Sequence, residues 1–416
     1  MFSLDILIFE VYLIRYLIKF LIKFNLAFRC RPETDPVANK REKEKMALSF
    51  MEGNEAVARG AMAAGCSFFA GYPITPASTV FASMLSLLPP AGGICVQGED
   101  EIASMGYCIG ASMAGKKVLT ATSGPGISLY SEQISFAIGS EIPMVIVDVQ
   151  RLGPSTGSAT RGADSDIQFL RWGSTSGVPV IVLAPKDVED CFCLTVHAFN
   201  YAEEFRCPVF IASNKEIGMT KESIDIDAIP LPPLVERTRY DGETYLPFKA
   251  APDKAPDFLP IGGKTLVRQT SSTHGPDGYI TIDPAVITET QERLRNKILH
   301  AESRISLYEE TRRKGAKTLV ISYGVTSKAV EDAAQRLAEQ GILVSTLNLK
   351  TLWPVPKELI REQAADYPTI VVPEMNLGQY VREIERVLPD KTVKFYGQMD
   401  GVLITPDTLM EVIKHG

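Results

Sequence analysis

The chain has 416 residues, with 43 Lys or Arg against 50 Asp or Glu and a formal net charge of −7. This length allows two or three domains with cores of their own, and the near-average composition excludes disordered, collagen-like and small disulfide-stapled proteins. The acidic balance argues against a dedicated nucleic-acid binder, because no basic excess exists to neutralise phosphates.

The first 45 residues differ from the rest. Residues 2–28 are rich in Leu, Ile and Phe but carry interspersed charges, so they make a poor transmembrane span. Arg15, Lys19 and Lys23 form a basic stripe that would suit a helix lying on an anionic membrane surface. The alternative, which we favour, is a misassigned upstream start, because the sequence from Met46 reads like a fresh N-terminus. We treat residues 1–45 as an atypical extension and expect no membrane contact.

From Glu52 to Ile217 the pattern alternates between strands and helices, which predicts a doubly wound parallel α/β sheet in a domain spanning residues 46–217. The run 143–149 is almost continuously apolar, as expected for a strand buried on both faces. The predicted elements are helices 54–64, 102–114 and 127–139, a tight turn at 123–126, and strands 66–70, 117–121, 143–149, 178–183 and 208–212.

Residues 218–315 lose this periodicity. Their prolines predict an extended linker, followed by a polar helix over 288–310. His274 lies in a turn of this segment, and whether it reaches a site stays open. The α/β rhythm returns in a smaller second domain, residues 316–416. Its predicted strands are 318–322, 343–349 and 369–372, and its predicted helices are 327–340 and 357–365.

Three features collect at the predicted carboxyl ends of strands, where open parallel sheets bind ligands. In Tyr-Pro-Ile-Thr-Pro, residues 72–76, two prolines would hold Thr75 in a rigid loop, although a plain turn explains the same pattern. Glu101 opens a helix and is expected to be buried on a face with Ala103, Gly106, Gly110 and Ala114. A buried carboxylate needs a partner.

Arg151 is the third feature. It follows the buried strand, and its guanidinium can bind a carboxylate through two hydrogen bonds. Each feature alone has a structural explanation: a helix-dipole acid for Glu101 and an ion pair for Arg151. Together with the Gly-rich turns they resemble the α subunit of 2-oxoacid:ferredoxin oxidoreductases, most closely the 2-oxoglutarate type. The motifs that carry the resemblance are at 72–76, 99–104, 122–126, 151–157, 322–326, 352–354 and 374–379.

The resemblance implies a pyrimidine-binding-type thiamine diphosphate domain followed by a transketolase-C-like domain. It implies that Glu101 is the catalytic residue that faces the aminopyrimidine ring, and that Thr75 and Arg151 bind the 2-oxoacid substrate. Further expected site lining comprises Tyr72, Ser123, Gly124, Gly126 and, for a distal substrate carboxylate, Arg161.

The resemblance also implies partners. Neither residues 240–242 nor residues 399–401 match the Gly-Asp-Gly motif that holds the diphosphate and Mg²⁺ in such sites, and the seven cysteines contain no C-x-x-C spacing for a [4Fe–4S] cluster. A β subunit would supply both, with further γ or δ subunits open, and ferredoxin and coenzyme A as co-substrates. We expect a cytoplasmic enzyme with reduced cysteines and no metal of its own.

The predicted function is conversion of 2-oxoglutarate, coenzyme A and oxidised ferredoxin to succinyl-CoA, CO2 and reduced ferredoxin, in either direction. Branched-chain 2-oxoacids or pyruvate are the alternative substrates. Two other classes remain: a nucleotide-binding enzyme, which would lack the G-x-G-x-x-G and Walker motifs, and a non-catalytic scaffold subunit, which would have no need of Thr75, Glu101 and Arg151.

Overall fold

The computed structural model describes residues 48–415, so the interpretations of residues 1–45 lie outside the described residues. None of the helices in this range combines the length and apolar character that spanning a membrane requires. The strands are β1 (Ser49–Glu52), β2 (Phe68–Gly71), β3 (Ile94–Gln97), β4 (Val118–Thr122), β5 (Met144–Gln150), β6 (Ile181–Leu183), β7 (Pro208–Asn214), β8 (Lys221–Ile224), β9 (Tyr308–Thr311), β10 (Thr318–Ser322), β11 (Val344–Leu349), β12 (Thr351–Trp353), β13 (Thr369–Glu374) and β14 (Thr392–Gly397).

The predicted helices 54–64, 102–114, 327–340 and 357–365 are confirmed with ends that differ by one residue, whereas the predicted helix 127–139 is divided at Tyr130 and several helices, including Val188–Phe205, were not predicted. The helices are α1 (Gly53–Ala63), α2 (Ser78–Leu87), α3 (Glu101–Met113), α4 (Gly124–Leu129), α5 (Ser131–Gly139), α6 (Ile167–Trp172), α7 (Val188–Phe205), α8 (Lys215–Gly218), α9 (Pro284–Leu299), α10 (Glu302–Ile305), α11 (Thr326–Glu339), α12 (Lys357–Ala364), α13 (Val381–Val387) and α14 (Pro406–His415).

Seven strands form the larger sheet, in the order β12-β6-β7-β5-β4-β2-β3. All neighbours are parallel except the β12–β6 pair. Every residue of β5 is buried, and its apolar side chains alternate between two separate hydrophobic clusters. The predicted doubly wound sheet with helices on both faces is therefore confirmed.

A second sheet has the order β14-β13-β10-β11-β9, with β9 antiparallel to β11. The predicted helix over 288–310 is wrong at its C-terminal end, because α9 stops at Leu299 and β9 covers Tyr308–Thr311. All four residues of β9 are exposed, so this edge strand lacks the apolar alternation that would reveal it. Its hydrogen bonds to β11 override the local polarity.

The predicted tight turn at residues 123–126 is also wrong. Gly124 begins α4, and Pro125 occupies the first turn of that helix, where its missing N–H costs nothing. Gly-Pro-Gly reads as a turn in the sequence because these residues usually break helices. Here the same proline starts a helix, and Tyr130 separates it from α5.

The Pro-rich segment is irregular, as predicted, but buried ion pairs hold it against the larger sheet. Arg237 donates to Glu203 at 2.6 and 2.8 Å, and both side chains are buried. His274 is 3% exposed, packs against the Phe248 ring at 3.8 Å between centroids and bonds the Ser272 carbonyl through Nδ1. These contacts give His274 a packing role within the segment.

Candidate active site

Three loops with predicted site residues meet at one edge of the larger sheet. Tyr72 and Thr75 follow β2, Ser123 follows β4, and Arg151 follows β5. Because β2 pairs with β4 and β4 with β5 in parallel, their carboxyl ends are neighbours. The chain thus brings the loops to the edge where ligands of open parallel sheets bind.

Glu101 is the first residue of α3 and is 7% exposed. The expected burial is confirmed, but the predicted face is wrong, because Gly110 and Ala114 are exposed. Residues three, four, seven and eleven positions after Glu101 share its face in an α-helix. Those are the buried residues of α3: Ser104, Met105, Cys108 and Ser112.

Gly126 allows α4 to approach this carboxylate closely. A Cβ at Gly126 would overlap Thr122 Oγ1 and lie 2.9 Å from Glu101 Cγ. The hydroxyls of Thr122 and Ser123 are buried and have no hydrogen-bond partner among the described residues. A carboxylate and two uncommitted hydroxyls therefore line the same edge and are available to a ligand.

Arg151 lies across this edge and is 6% exposed. Its Nη1 donates to the Thr75 carbonyl at 2.7 Å, and Ser165 Oγ donates to the Arg151 carbonyl at 2.6 Å. Burial lowers the pKa of Arg151, and the carboxylates of Asp166 and Glu101 partly offset this effect. The three predicted residues thus form one group, although Thr75 contacts Arg151 through its backbone rather than its hydroxyl.

The remaining predicted lining residues are more spread out. Gly124 lies between Arg151 and Asp166, because a Cβ there would be 3.9 Å from Arg151 Cγ and 3.8 Å from Asp166 Oδ2. Tyr72 is 38% exposed on the loop after β2. Arg161 is exposed and packs against the backbone of Gly401. Within residues 48–415, no hydrogen bond or ion pair joins it to the other predicted site residues.

Two carboxyl groups at this edge escaped the sequence analysis. Asp148 lies on β5 with 0% exposure, and Asp166 lies just before α6 with its N–H donating to Gln150 Oε1 at 2.9 Å. Burial and the nearby Asp166 raise the pKa of Asp148 well above its usual value. The available signal was one acidic residue inside an otherwise apolar buried strand.

The C-terminal motif at residues 374–379 packs onto the segment that carries these groups. Asp164 N donates to the Met375 carbonyl at 3.0 Å, and Asn376 Nδ2 donates to the Asp164 carbonyl at 2.9 Å. Asn214 donates to the Asp164 carboxyl at 2.8 Å, and burial raises the pKa of Asp164 to about 7. The second sheet therefore helps to position the loop beside Arg151.

Comparison with known proteins places these features in a family. Residues 59–293 match the family model described as "Pyruvate flavodoxin/ferredoxin oxidoreductase, thiamine diP-bdg", and residues 316–409 match "Pyruvate:ferredoxin oxidoreductase core domain II". The chain is also 39% identical to the 2-oxoglutarate synthase subunit KorA of Methanothermobacter thermautotrophicus, over 88% of this chain and 97% of that protein. The chain belongs to the 2-oxoacid:ferredoxin oxidoreductase family.

Two further relatives bear on the family's substrates. A ketoisovalerate oxidoreductase subunit VorB from Methanothermobacter marburgensis is 32% identical over 89% of this chain and 98% of its own length. A solved structure, a 2-oxoglutarate:ferredoxin oxidoreductase from Magnetococcus marinus with 2-oxoglutarate, coenzyme A and succinyl-CoA bound, superimposes with a TM-score of 0.82 and is 32% identical. That match covers 88% of this chain and 65% of the solved chain. The resemblance seen in the sequence is confirmed.

The site of this oxidoreductase chain fits the aminopyrimidine part of thiamine diphosphate. The absence of a Cβ at Gly126 lets Thr122 Oγ1 and the Glu101 carboxylate lie side by side, and the buried hydroxyls of Thr122 and Ser123 have no partner among the described residues. A ring that carries nitrogen donors and acceptors suits such a mixture of carboxylate and hydroxyl groups. Within residues 48–415, no cluster of three or more His, Cys, Asp or Glu side chains could hold a metal ion.

Proposed function

We propose that this chain is the α subunit of a thiamine-diphosphate-dependent 2-oxoglutarate:ferredoxin oxidoreductase. The complex converts 2-oxoglutarate, coenzyme A and oxidised ferredoxin to succinyl-CoA, CO2 and reduced ferredoxin. The observation that carries this proposal is the grouping of buried Glu101 with buried Arg151 at one carboxyl edge of a parallel sheet. We place the reaction in the cytoplasm, because the six described cysteines are free.

Glu101 is the residue that we assign to the cofactor. When bound, thiamine diphosphate supplies the electron sink that decarboxylation of a 2-oxoacid requires. A buried carboxylate makes a stronger hydrogen bond to a ring nitrogen than an exposed one, because water does not compete for it. Gly126 lets α4 pack directly against Glu101, since a Cβ there would lie 2.9 Å from Glu101 Cγ. Glu101 therefore holds the hydrogen bond at the pyrimidine edge.

Arg151 is the residue that we assign to the 2-oxoacid carboxylate. Its bond to the Thr75 carbonyl fixes the guanidinium, while its Nε has no partner among the described residues. A guanidinium held in this way can bind a carboxylate through two parallel hydrogen bonds. Thr75 is exposed next to it, so its hydroxyl can add a further donor. Together these groups orient the substrate toward the cofactor.

Replacing Arg151 by lysine tests this assignment. We expect KM for the 2-oxoacid to rise by about tenfold to a hundredfold, because lysine keeps the positive charge but cannot form the bidentate hydrogen bond to the carboxylate. Steady-state kinetics of the assembled complex at fixed ferredoxin and coenzyme A measures this change. Arg304→Lys is the matched variant and should leave KM unchanged, because Arg304 pairs with Glu204 on the surface and has no assigned role at the site. An unchanged KM in Arg151→Lys would contradict the assignment of Arg151.

The exposed face around Glu101 is where we place the β subunit. Large apolar side chains remain exposed on α3 and at the end of α4: Ile102, Tyr107 and Leu129, each between 42% and 48% exposed. Such a patch beside a site is typical of an interface between subunits. The β subunit would complete the site with the diphosphate–Mg²⁺ binding residues and the [4Fe–4S] cluster. Additional γ or δ subunits and ferredoxin would complete the complex.

The choice of 2-oxoglutarate rests on relatives, since identity to the 2-oxoglutarate subunit is 39% and identity to the ketoisovalerate subunit is 32%. A dicarboxylate needs a second cation, and Arg161 is our candidate because it lies exposed on the loop after Arg151. Arg161 interacts electrostatically with the Asp400 carboxylate. Asp400 is exposed, and ion pairs on the surface contribute little binding energy. Arg161 is therefore free to bind the distal carboxylate.

Reconstitution tests the proposed function. We expect the purified chain to be inactive alone and the complex co-purified with its β subunit to reduce ferredoxin with 2-oxoglutarate and coenzyme A. kcat/KM for 2-oxoglutarate should exceed that for 2-oxoisovalerate and pyruvate by about a hundredfold, because these monocarboxylic acids lack the second carboxylate that Arg161 would bind. A preference for 2-oxoisovalerate would overturn the substrate, and no activity with any 2-oxoacid would overturn the function.

A further inference from the structure

A pair of buried carboxyl groups beside Arg151 has no part in the function proposed above. Asp148 projects from β5 with 0% exposure, and neither of its carboxyl oxygens has a hydrogen-bond donor among the described residues. Asp166 Oδ2 is also buried and without a donor. Asp148 and Gln150 project from the same face of β5, and Gln150 Oε1 accepts a hydrogen bond from Asp166 N at 2.9 Å, which brings the Asp166 carboxyl beside Asp148. Two ionised carboxylates in such contact would repel each other, and no hydrogen-bond donor would compensate their three unpartnered oxygens.

A single proton resolves this conflict. If Asp148 is protonated, its hydroxyl donates to Asp166, and the three oxygens that lack donors belong to one hydrogen-bonded unit with one negative charge. Burial and the nearby Asp166 raise the pKa of Asp148 well above its usual value. Burial raises the pKa of Asp166 to about 6, while Asp148 and Arg151 oppose that shift. Near neutral pH the pair therefore holds one proton.

The charge of this pair faces the guanidinium that we assign to the substrate. Asp166 Oδ2 and Arg151 Cγ both lie close to Gly124, at 3.8 and 3.9 Å from the position of a Cβ there, and Arg151 acts electrostatically on Asp166. Other ionisable groups face the same edge: Glu101 from α3, Tyr130 from the end of α4, and Asp164 from the segment before α6. Of these side chains, all within residues 48–415, Arg151 is the only cation, and the others are acids.

We propose that Asp148 and Asp166 share one proton and act as positioning residues that limit the negative charge facing Arg151 to a single unit. This inference rests on the proposed function, because its benefit is the binding of an anionic 2-oxoacid. With one charge on the pair, Arg151 keeps a counter-ion that holds it in place and still attracts the substrate carboxylate. With two charges, the pair would neutralise Arg151 and repel the substrate.

The pH dependence of KM follows from this arrangement. When the shared proton leaves at alkaline pH, the site gains a negative charge, and an anionic substrate binds less tightly. We expect KM for 2-oxoglutarate to rise by about tenfold from neutral pH to the alkaline pH at which the shared proton has left, with kcat changing little. If the two carboxyl groups had only a structural role, pH would change the stability of the protein but would not change KM separately from kcat.

Asp148→Asn in the assembled complex is the decisive variant. An asparagine amide can still donate to Asp166, but it cannot lose a proton, so KM should stay near its neutral-pH value across the whole range. Asp190→Asn is the matched control. Asp190 is a buried carboxyl on α7 with a pKa raised to about 6 by burial, it is paired with Lys350 at 2.6 Å, and it packs on the opposite side of the larger sheet. Its replacement should leave the alkaline rise of KM in place.

Infrared spectroscopy gives a second measurement that needs no turnover. At about pH 8 most of the Asp164 carboxyl is ionised, because its pKa is about 7. A protonated-carboxyl C=O band that persists at this pH in the wild-type complex and disappears in Asp148→Asn supports the shared proton. Absence of such a band in the wild type overturns it, even if Asp148→Asn does not fold.

The kinetic outcomes are equally decisive. A wild-type KM that does not change with pH, or an alkaline rise that remains in Asp148→Asn, overturns the proposal and leaves the function of the complex intact. Failure of the proposed function looks different, since the wild-type complex would then turn over no 2-oxoacid at any pH while the infrared band would still report the proton.

Discussion

Replacing Glu101 by glutamine is expected to lower kcat of the assembled complex by about a thousandfold, which is typical for loss of a group that handles a proton in catalysis. Glutamine has nearly the same shape, so the buried position beside Gly126 should still pack. What is lost is the ability to accept and hold a proton at the pyrimidine edge. The change is measured as 2-oxoglutarate-dependent reduction of ferredoxin under saturating substrates.

Glu99→Gln is the matched control for this variant. Glu99 is exposed two residues earlier and accepts a hydrogen bond from Tyr107 at 3.2 Å, so its amide should leave kcat within about twofold of wild type, as for most surface substitutions. Both variants should retain the wild-type melting temperature and the ability to co-purify with the β subunit. A Glu101→Gln complex that turns over at a near-normal rate would contradict the catalytic assignment and favour a scaffold role for the chain.

The sequence predicts the edge of the sheet that carries the site better than it predicts the contacts there. Strand ends are visible because continuous apolar runs stop at polar or Pro-Gly residues, and this places Thr75, Ser123 and Arg151 together. The face of α3 was predicted wrongly because small residues at 103, 106, 110 and 114 look like a packing stripe. In the fold the buried face of α3 comprises Glu101, Ser104, Met105, Cys108 and Ser112, whereas Ala103 and Gly106 are half-buried and Gly110 and Ala114 are exposed.

Residues whose role depends on distant partners were missed for a physical reason. Asp148 reads as one polar interruption of a strand, and only the fold shows that Asp166, eighteen positions later, lies against it. β9 escaped for the same reason, because an exposed edge strand depends on its hydrogen-bonded neighbour rather than on its own pattern. Pairing across long sequence separations leaves no local signal in a single sequence.

The largest stability effect is expected at Glu141, which has no contact with the site. Its side chain is 0% exposed and accepts hydrogen bonds from Arg293 at 2.6 and 2.9 Å and from Lys297 at 2.8 Å. Burial alone would raise its pKa, but Lys297 and Arg293 lower the pKa of Glu141 to about 2. Through these ion pairs the Glu141 carboxylate holds α9, and with it the end of the Pro-rich segment, against the larger sheet.

Glu141→Gln should lower the free energy of unfolding at pH 7 by about 3–5 kcal/mol, because Arg293 and Lys297 stay buried without a counter-ion. Denaturant unfolding of the purified chain measures this loss. Glu204→Gln is the matched control, since Glu204 also pairs with an arginine, Arg304, at 2.6 and 2.8 Å but on the surface, where such pairs contribute about 1 kcal/mol or less.

The dependence on pH separates the charge of Glu141 from its shape. A carboxyl whose pKa falls on folding stabilises the native state above its unfolded value near 4.5, and this contribution disappears as the pH falls through about 2. The difference in stability between wild type and Glu141→Gln should therefore be largest at neutral pH and shrink below about pH 4. A difference that stays constant with pH would mean that packing, not the ion pairs, holds α9 in place. A loss no larger than that of Glu204→Gln would show that the buried cations find other partners.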